Sequence, residues 1–325
     1  MQVLVTGAAG MVGRKLVQRL ASLGSIGGRP ITRLKLHDIV EPAVPTKASF
    51  PVETAVSDLS VAGEAGKLVA DQPAVIFHLA AIVSGEAEAD FEKGYRVNLD
   101  GTRCLFEAVR HRAYLPRLVF TSSIATFGTP FPDTIDDDFQ LAPLTSYGTQ
   151  KAISELLLSD YSRRGVFDGI GIRLPTICVR PGAPNRAASG FFSGIIREPL
   201  SGQEAVLPVS DDVMHWLASP RAAVGFLVHA AGLDSARLGP RRNLTMPGVA
   251  ITVGGQLEAL RKVAGDAVVK RVRREPDPTI ARIVEGWPRR FDARRARELG
   301  FEADQSFEEI IRIHIEDELG GQFVR

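Results

Sequence analysis

The chain has only two cysteines in 325 residues, Cys104 and Cys178. They lie far apart in apolar contexts and lack metal-ligand spacing, which argues against both a disulfide framework and a cysteine-based zinc site. Buried free thiols in a reducing cytosol are the expected state, with a single structural disulfide as the alternative. Excess charge of either sign is also missing. The 39 Lys+Arg balance 38 Asp+Glu to a net charge of +1, so there is no electrostatic footprint for nucleic acid. No continuous apolar run reaches the length of a membrane span. The opening MQVLVTGAAG has no basic n-region and runs straight into a strand and a glycine turn, so no secretory signal is expected and the protein is read as cytoplasmic. Repeats and low-complexity tracts are absent. What remains is an ordinary globular composition, 45% hydrophobic and 24% charged, in a chain long enough for one large α/β domain or a domain with a smaller partner.

Short apolar runs alternate with helical patterns through the first half. VLVT, LKLHD, AVIFHLA, RLVFTSS and GIGIRLP read as strands, and 11–23, 59–71, 88–112 and 146–164 read as helices. Regular alternation implies right-handed crossovers and a doubly wound parallel sheet, an α/β fold of Rossmann-like type. After Pro175 the pattern breaks into RPGAPNRAASGFFSG, expected to be a functional loop ordered by Phe191 and Phe192. Helical patterns return at 220–233, 252–264 and 305–318, with a strand expected at VVKRVR. The division expected is a dinucleotide-binding domain over 1–175, rejoined by 217–247, and a smaller C-terminal substrate lobe built from 176–216 and 248–325.

Directly after the first strand comes Gly7-Ala-Ala-Gly10-Met-Val-Gly13, followed by an apolar helix face of Val12, Leu16, Val17 and Leu20. Glycines here allow a tight turn, backbone approach to a pyrophosphate, and close packing of helix on strand, while the helix N-terminus favours an anion. A tight turn alone would also use glycine. The second strand ends in Asp38, placed to accept the adenosine ribose hydroxyls and repel a 2′-phosphate, which favours NAD over NADP; capping of the loop IVEP is the plainer role. Asp58-Leu59 fits the adenine edge, with helix capping by Asp58 equally open.

SYGTQK sets Tyr147 four residues before Lys151, on one face of a helix. Surface helices produce such pairs routinely. Here the pair follows a dinucleotide turn, and HLAA at 78–81, VNLDGT at 97–102 and TSSIATFG at 121–128 complete a set. In spacing and order this set resembles the extended short-chain dehydrogenase/reductase family, which includes the nucleotide-sugar epimerases and dehydratases. The likeness is dense over residues 1 to about 180.

The resemblance implies NAD as cofactor, with contacts from Gly7, Ala9, Gly10, Met11, Val12 and Gly13, from Asp38, Asp58 and Leu59, and from Leu79, Ala80 and Ala81. It implies Tyr147 as catalytic base and Lys151 as its partner and as a ligand of the nicotinamide ribose. A phenol with an ordinary pKa of about 10 is a poor base at neutral pH, and a nearby ammonium favours the phenolate. Ser123 takes the family's catalytic serine position. Ser122 is the neighbouring candidate, for the substrate or for the cofactor through its backbone, because adjacent strand residues face opposite ways. Asn98 matches the asparagine that organises strand and waters, with turn capping as the alternative. Pro175 and Thr176 match the contact to the nicotinamide carboxamide. Family members form homodimers through two sheet-flanking helices, here about 88–112 and 146–164.

The chain departs from the epimerases at MHWLASPRAAV, 214–224, where two acids become Pro220 and Arg221 and the arginine that engages a nucleotide diphosphate becomes Met214. Phe127 stands where many epimerases have tyrosine. These changes point to a smaller ligand in a more closed pocket, held by Ser123, Thr126 and Tyr147. A small polyhydroxy acid would find Asn185, Arg186 and Ser189 for its carboxylate, and the stretches 173–200 and 215–231, which resemble the sugar-acid dehydrogenases of this family, imply such a substrate. A solvated Arg186 is the alternative. His215 and Trp216 either reach the substrate or pack. The arginines of 288–299 read as the solvated face of a C-terminal helix. Three functions fit: a dehydrogenase of a small sugar acid, an epimerase or dehydratase that retains its NAD, and a non-catalytic NAD sensor on the same fold. No metal is expected.

Overall fold

Gln2–Thr6, the first apolar run, is the strand around which the sheet reverses. The computed structural model describes residues 1–182 and 189–325. Among these, seven strands form one parallel sheet in the order Asn243–Thr245, Asp168–Leu174, Arg117–Ser123, Val75–His78, Gln2–Thr6, Arg33–Asp38, Val52–Val56. Successive strands leave Gln2–Thr6 on both sides, so a topological switch point lies between it and Val75–His78. Crevices at the carboxyl ends of such strands are where doubly wound sheets bind ligands. The register aligns those ends: Thr6 pairs with both His37 and His78. Val3, Leu4 and Val5 are buried on both faces, as a sheet covered by helices requires.

Two compact units divide the chain. The first contains 1–126, 143–174 and 224–245, and the second contains 127–142, 175–223 and 246–325. In the first, Leu4, Ile76, Leu105, Phe106, Leu118, Phe120, Leu158 and Phe167 form one apolar cluster under the flanking helices. In the second, Met214–Ala218 pairs with Val249–Thr252 and Thr176–Ile177, and Ala205–Leu207 pairs with Val272–Arg274. Phe192, Ile195, Ile196, Leu200, Leu257, Leu260, Ile310 and Ile311 belong to its core.

Several elements differ from the sequence expectation. The helix expected over 59–71 is confined to Glu64–Leu68, because Ser60 N and Oγ both donate to Asp58 Oδ1 and hold a turn ahead of it. The pattern over 88–112 is not one helix. It breaks into Ser84–Ala89, Phe91–Gly94, a π-helical turn at Tyr95–Asp100 and Gly101–Arg112. Gly94 lets these segments pack closely on Ser146–Arg163: a Cβ there would meet Gln150 Nε2 at 2.8 Å. Phe191 and Phe192 lie in a helix, Gly190–Leu200, whose buried Phe192, Ile195, Ile196 and Leu200 have helical spacing. VVKRVR begins in the short helix Asp266–Val269 and becomes strand only at Val272–Arg274.

Within 288–299, only Arg294–Glu298 is helical. Arg289, Arg290, Arg294 and Arg297 are exposed as expected, but Phe291 is buried against Phe127 and Trp216, so the segment is anchored as well as solvated. Cys178 and Cys104 are free thiols, the first buried and the second half-buried. Among the described residues no helix is long and apolar enough to cross a membrane, and no group of three His, Cys, Asp or Glu could hold a metal.

Candidate active site

At the switch point the glycine turn is sterically dictated. Gly7 has φ +76°, and a Cβ on it would lie 2.6 Å from Ala80 N; a Cβ on Gly13 would lie 2.1 Å from Gly7 O. Any other residue would push the helix Met11–Leu23 off the strand. Gly10 is the exposed N-cap of that helix, which has no side-chain cap and no acid in its first turn. Its N-terminal dipole is left for an external anion such as a pyrophosphate. Asp38 does two things. Its Oδ1 accepts from Ile39 N at 2.7 Å, the local cap, and its Oδ2 accepts from Ala9 N at 2.9 Å, fixing the turn. Asp58 caps no helix; besides Ser60 it accepts from Arg96 Nη1 at 3.0 Å. Desolvation pushes its carboxyl up, but the Ser60 bonds and Arg96 outweigh this and hold it below the usual range. Leu59 is buried behind it, Leu79 and Ala80 are half-buried, and Ala81 is exposed.

A buried chain of hydrogen bonds supports these walls. Thr102 Oγ1 donates to the Asn98 carbonyl at 2.7 Å, so it accepts from His78 Nε2 at 2.9 Å, and His78 Nδ1 in turn accepts from Thr6 Oγ1 at 2.7 Å. Burial pushes His78 down to about 3, so the ring is neutral. Asn98 is 1% exposed, and both its side-chain groups are engaged: Oδ1 accepts from Ile82 N, and Nδ2 donates to Gln150 Oε1 and Ile82 O. It therefore shapes the loop after His78.

Strand alternation separates the two serines. Ser122 is 3% exposed and donates to Glu155 Oε1 at 2.5 Å, so its proton is committed to that carboxylate. Ser123, half-buried, points the other way; its Oγ accepts from Ala125 N at 3.1 Å and keeps its proton to donate. Thr126, expected beside the substrate, is fully buried and donates to the Ser123 carbonyl at 2.9 Å, so it braces the serine.

The helix Ser146–Arg163 carries the pair. Thr145 caps it by accepting from Gly148 N, and a Cβ on Gly148 would lie 2.1 Å from Ala125 O, so the helix sits hard against the segment after Ser123. Tyr147 is half-buried. Lys151 is 2% exposed, and its Nζ donates to Thr121 O at 2.8 Å, 4.8 Å from the Phe120 ring centroid and 5.7 Å from that of Tyr147. Burial pushes the ammonium down to about 8, with the Glu155 carboxylate opposing the shift. The carbonyl bond and the two ring faces offset part of the cost of burying the charge. Glu155 and Arg173 escaped the sequence reading. The available signal was an acid one helical turn beyond Lys151.

In the second unit, Pro175 is buried and Thr176 half-buried. His215 Nδ1 lies 3.1 Å from Pro288 O, which only accepts, so Nδ1 carries the proton and Nε2 accepts from Thr176 Oγ1 at 2.7 Å. The Thr176 oxygen is thereby left with its lone pairs. His215 is itself 2% exposed, stacked on Phe192 at 4.9 Å, and pushed down to about 4 by burial, so it holds Thr176. Trp216 packs, with Nε1 donating to Met246 O. Arg221 pairs with Glu316 and Asp317. Ser189 accepts from Arg180 Nη2 at 3.2 Å. Asn185 and Arg186 lie outside the described residues.

Residues 3–219 match the model of the NAD dependent epimerase/dehydratase family. The chain is 50% identical to a D-erythronate dehydrogenase of Cupriavidus necator over 98% of both chains. It is 41% identical to one of Haemophilus influenzae, over 97% of this chain and 99% of that one. Among solved structures, a nucleoside-diphosphate-sugar epimerase from Agrobacterium tumefaciens is 64% identical with a TM-score of 0.97, covering 99% of this chain and 95% of that one. An L-threonine dehydrogenase from Cupriavidus necator shares the fold at 20% identity and a TM-score of 0.85, over 98% and 99%.

Proposed function

The chain belongs to the NAD dependent epimerase/dehydratase family, and from that premise we propose that it oxidises D-erythronate at C2 to 2-oxo-erythronate with NAD. The observation that carries the substrate is the near full-length likeness to two relatives named D-erythronate dehydrogenase. The residues present suit the cofactor: an uncapped helix N-terminus behind a turn with no room for side chains, and a carboxylate at the second strand's end. Asp38 accepts the ribose hydroxyls and repels a 2′-phosphate, so NADP is the poorer cofactor. Thr176, its proton committed to His215, offers lone pairs to the carboxamide N–H groups.

When bound, the nicotinamide ring supplies the acceptor for the C2 hydride. Tyr147, as phenolate, takes the C2 hydroxyl proton, and the C2–O bond becomes a carbonyl as the hydride leaves. Lys151 keeps the phenolate available and binds the nicotinamide ribose; Ser123 donates to the reacting oxygen. Arg186, with Asn185 and Ser189, is assigned to the substrate carboxylate. We assign the protein to the cytoplasm as a homodimer through Gly101–Arg112 and Ser146–Arg163, the second of which exposes Leu156 at 68%.

A second reading has one specific support, since the 64%-identical structure is named a nucleoside-diphosphate-sugar epimerase. Epimerisation returns the hydride, so the two readings differ in net redox. A spectrophotometric screen of four- to six-carbon sugar acids and sugar nucleotides, each with NAD and NADP, separates them. Accumulating NADH is expected with D-erythronate, little NADPH, and no change with sugar nucleotides. An isomerised sugar nucleotide with no NADH would favour the epimerase.

A further inference from the structure

Glu155 sits where an acid is rarely found: 1% exposed in the middle of a helix, one turn beyond Lys151. A carboxylate at that spacing is a ready counter-ion for the lysine, yet Lys151 Nζ donates to the Thr121 carbonyl. Glu155 is engaged elsewhere. Arg173 Nε donates to its Oε1 and Oε2 at 2.9 and 3.1 Å, Arg173 Nη2 donates to Oε2 at 2.7 Å, and Ser122 Oγ donates to Oε1. The Arg173 side chain is 11% exposed, so both ions of this pair are largely shielded from water. Two cations and one carboxylate leave a single net positive charge, the amount that one phenolate neutralises.

We propose that Arg173 is a positioning residue for the Tyr147–Lys151 pair: its forked grip on Glu155 limits how far that carboxylate neutralises the ammonium, so the charge of Lys151 acts on Tyr147. The inference rests on Tyr147 as the base. The same grip orients the serines, because Ser122 tied to Glu155 turns Ser123 to the other face of the strand.

Several other charged groups on elements packed against this helix are engaged elsewhere. Glu88 accepts from Ser146 N, Glu86 pairs with Lys93, Glu107 with Arg110 and Tyr161, and Arg96 with Asp58. His78 is neutral above about pH 3. Lys151, pushed down to about 8, has little margin, so one neighbouring charge more or less decides how strongly it acts near neutral pH.

The test is a titration of Tyr147 itself. With ¹³Cζ-labelled tyrosine the chain's four tyrosines give separate resonances, Tyr147→Phe identifies the one of interest, and neither substrate nor cofactor is needed. In Arg173→Gln, Glu155 becomes the counter-ion of Lys151, and the Tyr147 midpoint rises by about one pH unit or more. In Glu155→Gln, Lys151 and Arg173 are left without their shared carboxylate and the midpoint falls. The double variant restores one net charge and returns it to the wild-type value, and the acid limb of kcat/KM follows the same three movements. Breaking a buried ion pair is destabilising, but Glu155→Gln keeps the shape and an acceptor for Arg173, so it reports even if Arg173→Gln does not fold. An unmoved midpoint in a folded single variant, movement of both singles in one direction, or a double variant that fails to return would overturn the proposal. A protein that turns over no sugar acid would instead overturn the function while leaving this titration readable.

Discussion

Tyr147→Phe lowers kcat on D-erythronate by about 10²–10⁴-fold, the usual contribution of a positioned general base, and leaves NAD affinity nearly unchanged. The substitution removes one oxygen and keeps the ring. Thr145 still caps the helix, Gly148 still fits against Ala125, and Lys151 still lies 5.7 Å from the ring centroid with its bond to Thr121 O. The loss therefore falls on the chemical step, and single-turnover kinetics beside a cofactor titration measure it. Wild-type turnover in this variant would remove Tyr147 as the base.

Lys151→Met has the second largest expected effect. Methionine fills much of the same volume and does not need the Thr121 carbonyl, so the core is kept while the charge is lost. An opposite charge a few ångströms away shifts a titration by about 1–3 units, so the phenolate fraction at neutral pH falls by about 10–10³-fold, and kcat falls with it. The sign is testable: activity of the variant recovers as pH rises toward the ordinary range of a phenol. Wild-type enzyme reaches its plateau at lower pH, because the buried ammonium beside the ring favours the phenolate. NAD affinity also weakens if Lys151 binds the ribose, which separates this variant from Tyr147→Phe. A pH–rate profile of variant and wild type on one substrate checks both points.

How much of this could be read in advance depended on range along the chain. The glycine turn, Asp38, Tyr147 and Lys151 are local patterns, set by a strand-to-helix turn and by one turn of helix, and they stood out in the sequence. Ser122 and Ser123 could not be separated there, because what turns them is Glu155, 33 residues beyond Ser122. Thr176 and His215 are 39 residues apart, and the pairing that fixes the Thr176 proton exists only once their two strands are neighbours. Phe191 and Phe192 were read as loop because glycine, proline and serine dominate the residues before them, while the apolar stripe that makes the helix begins at Phe192 itself. The turn of Asp58 and Ser60 that shortens the following helix is local and legible, but the apolar periodicity of 59–71 runs through it and masks it. Met214, Pro220 and Arg221, the departures from the epimerase pattern, marked where substrate choice should be sought without naming the substrate.

The central claim is that hydride leaves C2 of the sugar acid for NAD. D-erythronate deuterated at C2 and incubated with NAD and the enzyme is expected to give deuterated NADH and an unlabelled 2-oxo product, read by mass spectrometry of both. Unlabelled NADH, or label retained in the acid while NADH forms, would contradict it.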